Sequence, residues 1–256
     1  DFSLSVMRMT IGEWIPHHVM TVRYNRVSSI FMSGIVHKFN QAFGFSLIVF
    51  DPSGGGLFVK DELRKRKQLI DGELKECTPI ITLADTSGTI GSEILVPFSR
   101  GDVYIKQMWG KLASDSMLIN RAHKDFKGAI EQKKVLLSGK WNGWTGNEAS
   151  WDADSKRDWL NKHQHTMEAN ERYRAEMDLA VTQLILVDTL RDKNGFTILD
   201  SFNQYKFKSK DKKDSAYGLV YCHTGVVIYK WMMEAGITDE SNDDNEGVAF
   251  SIRDLA

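Results

Sequence analysis

The segment Phe45-Ser-Leu-Ile-Val-Phe-Asp51 constrains the fold more than any other part of the chain. It is a short, nearly unbroken apolar run with a helical pattern on either side. A strand that is apolar on both faces has to be covered on both faces, so it belongs at the centre of a sheet between layers of helices. Upstream, Ser28 and Ser29 are good helix N-caps, and Phe31, Ile35, Phe39, Ala42 and Phe43 fall on one helical face before Gly44 ends the helix. Downstream, a Gly-rich turn leads into a helix predicted over 57–70, and Pro79–Ala84 reads as another short buried strand. At the front, Phe2, Leu4 and Val6 alternate with polar residues, as in a half-buried strand. Gly12 turns the chain, and Val19–Tyr24 completes a hairpin. The order strand, strand, helix, strand, helix, strand implies an α/β layered domain with a mixed sheet.

The remainder is more irregular. A small hairpin is predicted over 93–104, a helix over 107–132 and an edge strand over 133–137. Trp141, Trp144 and Trp151 anchor a glycine-containing loop over 139–152. Helix is predicted over 155–191, with Met177, Ala180, Val181, Leu184 and Val187 as its core stripe, then a hairpin around Asn203. A last apolar helix runs from Asp214 to Ala235, and acidic residues follow.

With 256 residues, 42% hydrophobic and 26% charged, the chain suits one large domain or two small ones, and no repeat or low-complexity linker divides it. We read it as a single domain over 1–256: core sheet and helices at 1–85, a hairpin, loops and helices at 86–213, a core helix at 214–235 and an acidic tail at 236–256. Thirteen Phe, seven Trp and seven Tyr exclude disorder of the whole chain. No apolar run reaches the roughly 18 residues of a membrane span. Cys77 and Cys222 are too few for a disulfide scaffold or a four-thiolate zinc site, and both read as reduced core thiols. The chain opens at Asp1, without Met, inside an alternating segment, and so reads as a domain of something longer.

A net charge of −1 argues against a generally basic nucleic-acid coat, but the distribution is uneven. Lys60, Arg64, Lys65, Arg66 and Lys67 form one basic cluster; Lys206, Lys208, Lys210, Lys212 and Lys213 form another. Either cluster alone is most simply a solvated face.

Two positions carry chemistry. Asp51 ends the apolar strand, where a charge is costly unless it is paired or binds a cation, and Pro52-Ser53-Gly54-Gly55-Gly56 lets another group come close. Asp214 opens the last helix, and its helical neighbours Tyr217, Gly218 and Tyr221 form a tight-packing face rather than a solvent face. Asp211 lies three residues earlier. Helix capping explains either Asp on its own. Carboxylates converging from separate elements make an oxygen site for Mg²⁺ or Mn²⁺. With lysines on the phosphates, that is an arrangement for two-metal phosphodiester hydrolysis. No Gly-Lys-Ser/Thr and no Gly-x-Ser-x-Gly occurs, so a P-loop and a hydrolase triad lack support. His17, His18, His163 and His165 have spacings that single out no metal site.

The whole chain resembles the nuclease domain of the large terminase subunit of tailed double-stranded DNA viruses, which has a ribonuclease H-like fold. The resemblance rests on Asp1-Phe-Ser-Leu-Ser-Val, on Phe43–Gly56, on Ala129-Ile-Glu-Gln-Lys-Lys-Val-Leu-Leu, on Gln183-Leu, and on Lys208–Cys222, which follow in the family's order. It implies a mixed central sheet flanked by helices, with additional C-terminal helices and a hairpin. It implies Asp51 and Asp214 as catalytic metal ligands, with Asp211 beside them, and Lys60, Arg64, Lys65, Lys208, Lys210, Lys212 and Lys213 on DNA. The activity implied is that of a metal-dependent endonuclease cutting concatemeric viral DNA during packaging, in the host cytoplasm during virion assembly. The implied partners are double-stranded DNA, the terminase small subunit, the portal and an ATPase motor domain of the same polypeptide. The family's first metal-binding Asp lies on a strand just before the segment matching Asp1–Val6; that strand and its ligand are expected upstream of Asp1, the alternative being Asp1 as a substitute ligand. The alternatives are another ribonuclease H-like nuclease of resolvase or transposase type, and a non-catalytic DNA-binding packaging module.

Overall fold

The computed structural model describes residues 2–9, 14–50, 56–82, 93–96, 118–138, 141–185, 187–189, 205–207, 214–234 and 248–255. Of these, 50, 56–57, 81–82, 93–96, 118–121, 185, 187–189, 205–207, 214, 231–233 and 248–255 are described by backbone alone. The fold is mixed α/β. Strands β1 (Phe2–Met9), β2 (Pro16–Tyr24), β3 (Phe45–Phe50), β6 (Ile81–Thr82), β7 (Glu93–Val96) and β10 (Val248–Leu255) form a six-stranded sheet in the order β2-β1-β10-β3-β7-β6. β10 runs antiparallel to β1 and parallel to β3, while β1 with β2, β3 with β7 and β6 with β7 are antiparallel. β4 (Lys67–Ile70) pairs with β5 (Glu73–Glu76), and β8 (Val187–Thr189) pairs with β9 (Tyr205–Phe207), in two small separate sheets.

Two helical layers cover the central sheet. On one face, α1 (Ser29–Phe43) and α2 (Gly56–Leu63) pack Val36, Val59 and Leu63 against Phe2, Leu4 and Val6. On the other, α3 (Leu118–Glu131), α5 (Ala169–Ile185) and α6 (Asp214–Glu234) pack Phe126, Met177 and Leu219 against Met7, Leu47 and Val49. The doubly covered central strand expected at 45–50 is therefore present. The α1 caps are as expected too: Ser28 Oγ accepts from Phe31 N at 3.2 Å, and Gly44 closes the helix in the left-handed region at φ 60°.

Several elements differ from the sequence reading. The helix expected over 57–70 stops at Leu63, and β4 and β5 form a hairpin through Asp71-Gly72, both at positive φ. Asp-Gly is a strong two-residue hairpin signal, and here it outweighs the helical pattern. The hairpin is held to α1 and α2 by buried Gln68, whose amide accepts from Ser33 Oγ at 2.7 Å and donates to the carbonyls of Glu62 and Lys65 at 2.6 and 2.8 Å. Residues 133–137 make no strand; Leu136 only bridges to the edge of β2, receiving His18 N and donating to Pro16 O. The long helix expected over 155–191 is two helices, α4 (Ala153–His163) and α5, followed by β8. Trp141, Trp144, Trp151 and Trp159 form a satellite core with Leu160 and Leu179, as the aromatic-anchored loop requires. Cys222 is buried, but Cys77 is partly exposed and is not a core thiol. The segment read as an acidic tail ends in β10, inside the sheet.

Candidate functional site

β1 has Phe2, Leu4 and Val6 on the α1/α2 face, and Ser3 and Ser5, followed by Met7 and Met9, on the α6 face. Ser3 and Ser5 are both fully buried, so this strand is covered on both sides rather than half-exposed. Small side chains at these positions let α6 come close. A Cβ on Gly218 would stand 3.0 Å from Ser5 Oγ and 3.3 Å from Ser3 Oγ, so only glycine fits this contact without displacing the serines. One turn further along α6, Cys222 Sγ donates to Ser5 O at 3.4 Å. The direction of the helix follows: from Cys222 to Gly218 it moves from Ser5 towards Ser3, and its first residue, Asp214, lies one turn before Gly218. The N-terminus of α6 thus stands at the Phe2 end of β1.

That end is set by α5. Gln183 Oε1 accepts from Ala216 N at 3.0 Å, satisfying one of the unpaired N–H groups of the first turn of α6. α5 is in turn tied to the sheet by Glu176, which receives Arg23 Nε at 3.2 Å with side-chain exposures of only 0% and 2%. Arg23 also donates to Asn25 Oδ1 at 2.8 Å and Asn161 Oδ1 at 2.9 Å, and Arg172 donates to the Arg23 carbonyl. In the sheet Arg23 lies opposite Ser3.

The buried hydroxyls on this face differ in their partners. Ser138 Oγ, His18, Thr21 Oγ1 and Ser5 Oγ form a continuous chain, with His18 Nδ1 2.8 Å from Ser138, His18 Nε2 2.9 Å from Thr21, and Thr21 2.9 Å from Ser5. Ser3 Oγ and Ser215 Oγ, the next hydroxyls towards the N-terminus of α6, find no hydrogen-bond partner among the described residues. A buried hydroxyl without a partner costs about 1–3 kcal/mol, so such atoms collect where another group belongs.

His18 is a buried member of this hydrogen-bonded chain. Burial lowers its pKa to about 4, with a smaller opposing pull from a Met20 backbone hydrogen bond; burial also lowers His223, packed on Phe126, to about 4 against the pull of Asp125. Unfolded histidines take up a proton near 6.5, whereas these folded ones resist protonation down to about 4. Stability is thus complete above pH 6.5 and falls as the pH drops towards 4. The expected loss between pH 7 and pH 5 is about 2 kcal/mol per histidine. Calorimetric melting at the two pH values checks this: His223→Gln should show a smaller drop than the parent, and an equal drop in both contradicts it.

Of the residues singled out in the sequence, Asp214 is placed by its backbone at the start of α6. Asp51 and Asp211 lie outside the described residues, as do Asp1, Lys208, Lys210, Lys212 and Lys213. Asp51 directly follows Phe50, the last residue of β3. Lys60, Arg64 and Lys65 are placed at the end of α2 and the turn after it, with Arg64 and Lys65 exposed and Lys65 2.6 Å from Glu62. The packing of Val59 and Leu63 puts this cluster on the sheet face opposite α6. The first basic cluster and Asp214 therefore occupy different faces. Among the described residues no group of three or more His, Cys, Asp or Glu could hold a metal, and no helix is long and apolar enough to cross a membrane. What the sequence did not reveal is how this end is built: Gln183 appeared only in a segment of the resemblance, without its role, and the local signal for Ser3 was its alternation with Ser5 among apolar residues of β1. No protein family, curated protein or solved structure matches the chain.

Proposed function

We propose that the chain is a metal-dependent DNA endonuclease of ribonuclease H-like fold, acting in viral genome packaging as a terminase-type nuclease. The observation that carries the reading is the close approach of α6 to β1 at Gly218, which sets Asp214 at one end of a sheet covered by helices on both faces. Asp51 follows β3 in the chain, and ligand sites in layered α/β folds gather at the carboxyl ends of such strands. The donor set suits a hard divalent cation. Carboxylates from separate elements and the unpartnered hydroxyls of Ser3 and Ser215 are oxygen donors, while the Cys222 thiol lies two turns along α6 from Asp214. Mg²⁺ or Mn²⁺ bound there would activate water and neutralise the scissile phosphate. The chain's own contribution is to orient the carboxylates: Gln183 fixes the first turn of α6, and α5 holds Gln183 through the Arg23–Glu176 pair. Double-stranded DNA is the proposed substrate, and concatemeric viral DNA in the host cytoplasm is its proposed source. The small subunit, the portal and an ATPase motor domain are its proposed partners.

Nicking of supercoiled plasmid tests the activity. Nicking in millimolar Mn²⁺ that EDTA abolishes is expected; DNA binding without nicking at any metal concentration would favour the packaging-module reading instead. The basic clusters make separate predictions. Lys208–Lys213 immediately precede Asp214, whereas Arg64 and Lys65 lie across the sheet from α6. Charge reversal at Lys210 and Lys212 should reduce the slope of log affinity against log salt by about 0.9 for each phosphate that is no longer neutralised. Reversal at Arg64 and Lys65 should change it less. An unaltered slope in Lys210→Glu/Lys212→Glu removes that patch from the DNA-binding surface.

A further inference from the structure

We propose that the outer edge of β5 is an interface through which two copies of this chain pair, with Leu74 facing Leu74 across a two-fold axis and Glu73 facing Lys75 of the second copy. The inference is independent of the nuclease reading. β4 and β5 form a two-stranded sheet of their own, and among the described residues no third strand pairs with β5. All four residues of β5 are exposed. In β4, Gln68 and Ile70 are buried against the helices, and α1 touches the strand at Gly34, where a Cβ would collide with Leu69 O. The other face of the hairpin carries Leu69 and Leu74, directly opposite each other and 43% and 68% exposed. A hairpin alone is marginal, and an apolar pair left open on it is what further strands would cover.

Hairpin geometry fixes which backbone groups are on offer. Asp71 and Gly72 form a two-residue turn, both at positive φ, so Ile70 and Glu73 close it as a hydrogen-bonded pair. The pairs then alternate: Leu69 with Leu74 is non-hydrogen-bonded, and Gln68 with Lys75 is hydrogen-bonded. The N–H and C=O of Leu74 and Glu76 therefore point away from β4, to the open edge. A second β5 running antiparallel can use them only where residues of the same kind meet, which restricts the two-fold axis to a single residue. An axis at Glu73 sets Glu73 against Glu73, and an axis at Lys75 sets Lys75 against Lys75. An axis at Leu74 joins the two leucines as a hydrogen-bonded pair and sets Glu73 against Lys75 on both sides of it. Opposite charges facing each other across strands stabilise the pairing, and like charges destabilise it. Charges on an edge strand ordinarily keep other strands away; here their order admits a two-fold copy. Leu69, Leu74 and their counterparts then form one apolar stripe across four strands. The two β4 strands lie three strand spacings apart, about 14 Å, which leaves room for the helices under them, since packed helices need about 8–10 Å. The edge is short, so the association is weak and depends on concentration.

Sedimentation velocity of the full chain at rising concentration tests the proposal. The parent is expected to shift from monomer towards dimer. Glu73→Lys and Lys75→Glu should each weaken dimerisation roughly tenfold or more, because each brings like charges together on both sides of the axis. An equimolar mixture of the two variants should regain the parent's affinity, since one chain then offers two lysines and the other two glutamates at the paired positions. The Glu73 and Lys75 side chains are 75% and 43% exposed, so neither substitution threatens the fold. Leu74→Cys should give a disulfide-linked dimer under mild oxidation, because hydrogen-bonded antiparallel pairs hold their Cα atoms about 5.5 Å apart. The native Cys77 should not, because this register sets it opposite Asp71 and keeps the two Cys77 residues about 20 Å apart along the strands. A parent that stays monomeric up to millimolar concentration overturns the proposal, as does a dimer that neither charge substitution weakens. Weakened single variants with no recovery in their mixture overturn the two-fold register.

Discussion

Alanine at Asp51 or Asp214 is expected to lower DNA cleavage by about 10²–10³-fold or more, the scale on which losing one charge-stabilising group at a reacting centre is felt. The fold should survive, with a melting temperature equal to the parent's or higher without metal, because the proposed site would gather carboxylates that repel each other. Asp214 needs a second variant, since an Asp at the start of a helix is also a good cap. Asparagine caps as well as aspartate does, so a capping role predicts that Asp214→Asn is silent. A ligand role predicts that it is as inactive as Asp214→Ala. Plasmid nicking with matched melting curves separates the two, and full activity in Asp214→Asn contradicts the assignment.

The largest effect on stability is expected at Glu176. It is fully buried and holds the nearly inaccessible guanidinium of Arg23. Glu176→Ala leaves that cation inside the protein without its carboxylate, which costs about 3–5 kcal/mol. Removing both charges by replacing Arg23 and Glu176 together with apolar residues of similar volume should cost much less, because the desolvation of the pair disappears with it. The consequences extend to the site. Glu176 holds α5 to β2, and α5 carries Gln183, the acceptor for the first turn of α6. Chemical denaturation of the single and double variants reads the effect directly; a loss below about 1 kcal/mol in Glu176→Ala would show that the pair does not bear on stability.

How far the fold could be read from the sequence follows from how local its determinants are. β3, α1 and α6 announce themselves within a few residues: an unbroken apolar run, a serine cap with a closing glycine, and a glycine among tyrosines on one helical face. Asp71-Gly72 was an equally local signal, but a helix predicted up to it, over 57–70, hides the β4–β5 hairpin. β10 is different in kind. Val248–Leu255 is short and follows an acidic run, and its partners β1 and β3 lie in the first fifth of the chain. Val248, Phe250 and Ile252 do alternate with smaller or polar residues, as in a strand, but nothing in that pattern says which strands it will pair with. The same holds for the candidate site. Asp51 and Asp214 stood out because charge is conspicuous beside apolar residues, whereas Ser3, Ser215 and Gln183 have meaning only once β1, α5 and α6 are packed together. The pairing of Arg23 with Ser3 is a product of strand register, to which hydrophobic periodicity within a single strand is blind.

Anomalous scattering from crystals soaked in Mn²⁺ is the most direct measurement. The proposed function predicts manganese at the end of the central sheet, near the start of α6 and the end of β3, within about 2.0–2.2 Å of carboxylate oxygens. Manganese bound only elsewhere, or none at this end of the sheet at millimolar concentration, would contradict it.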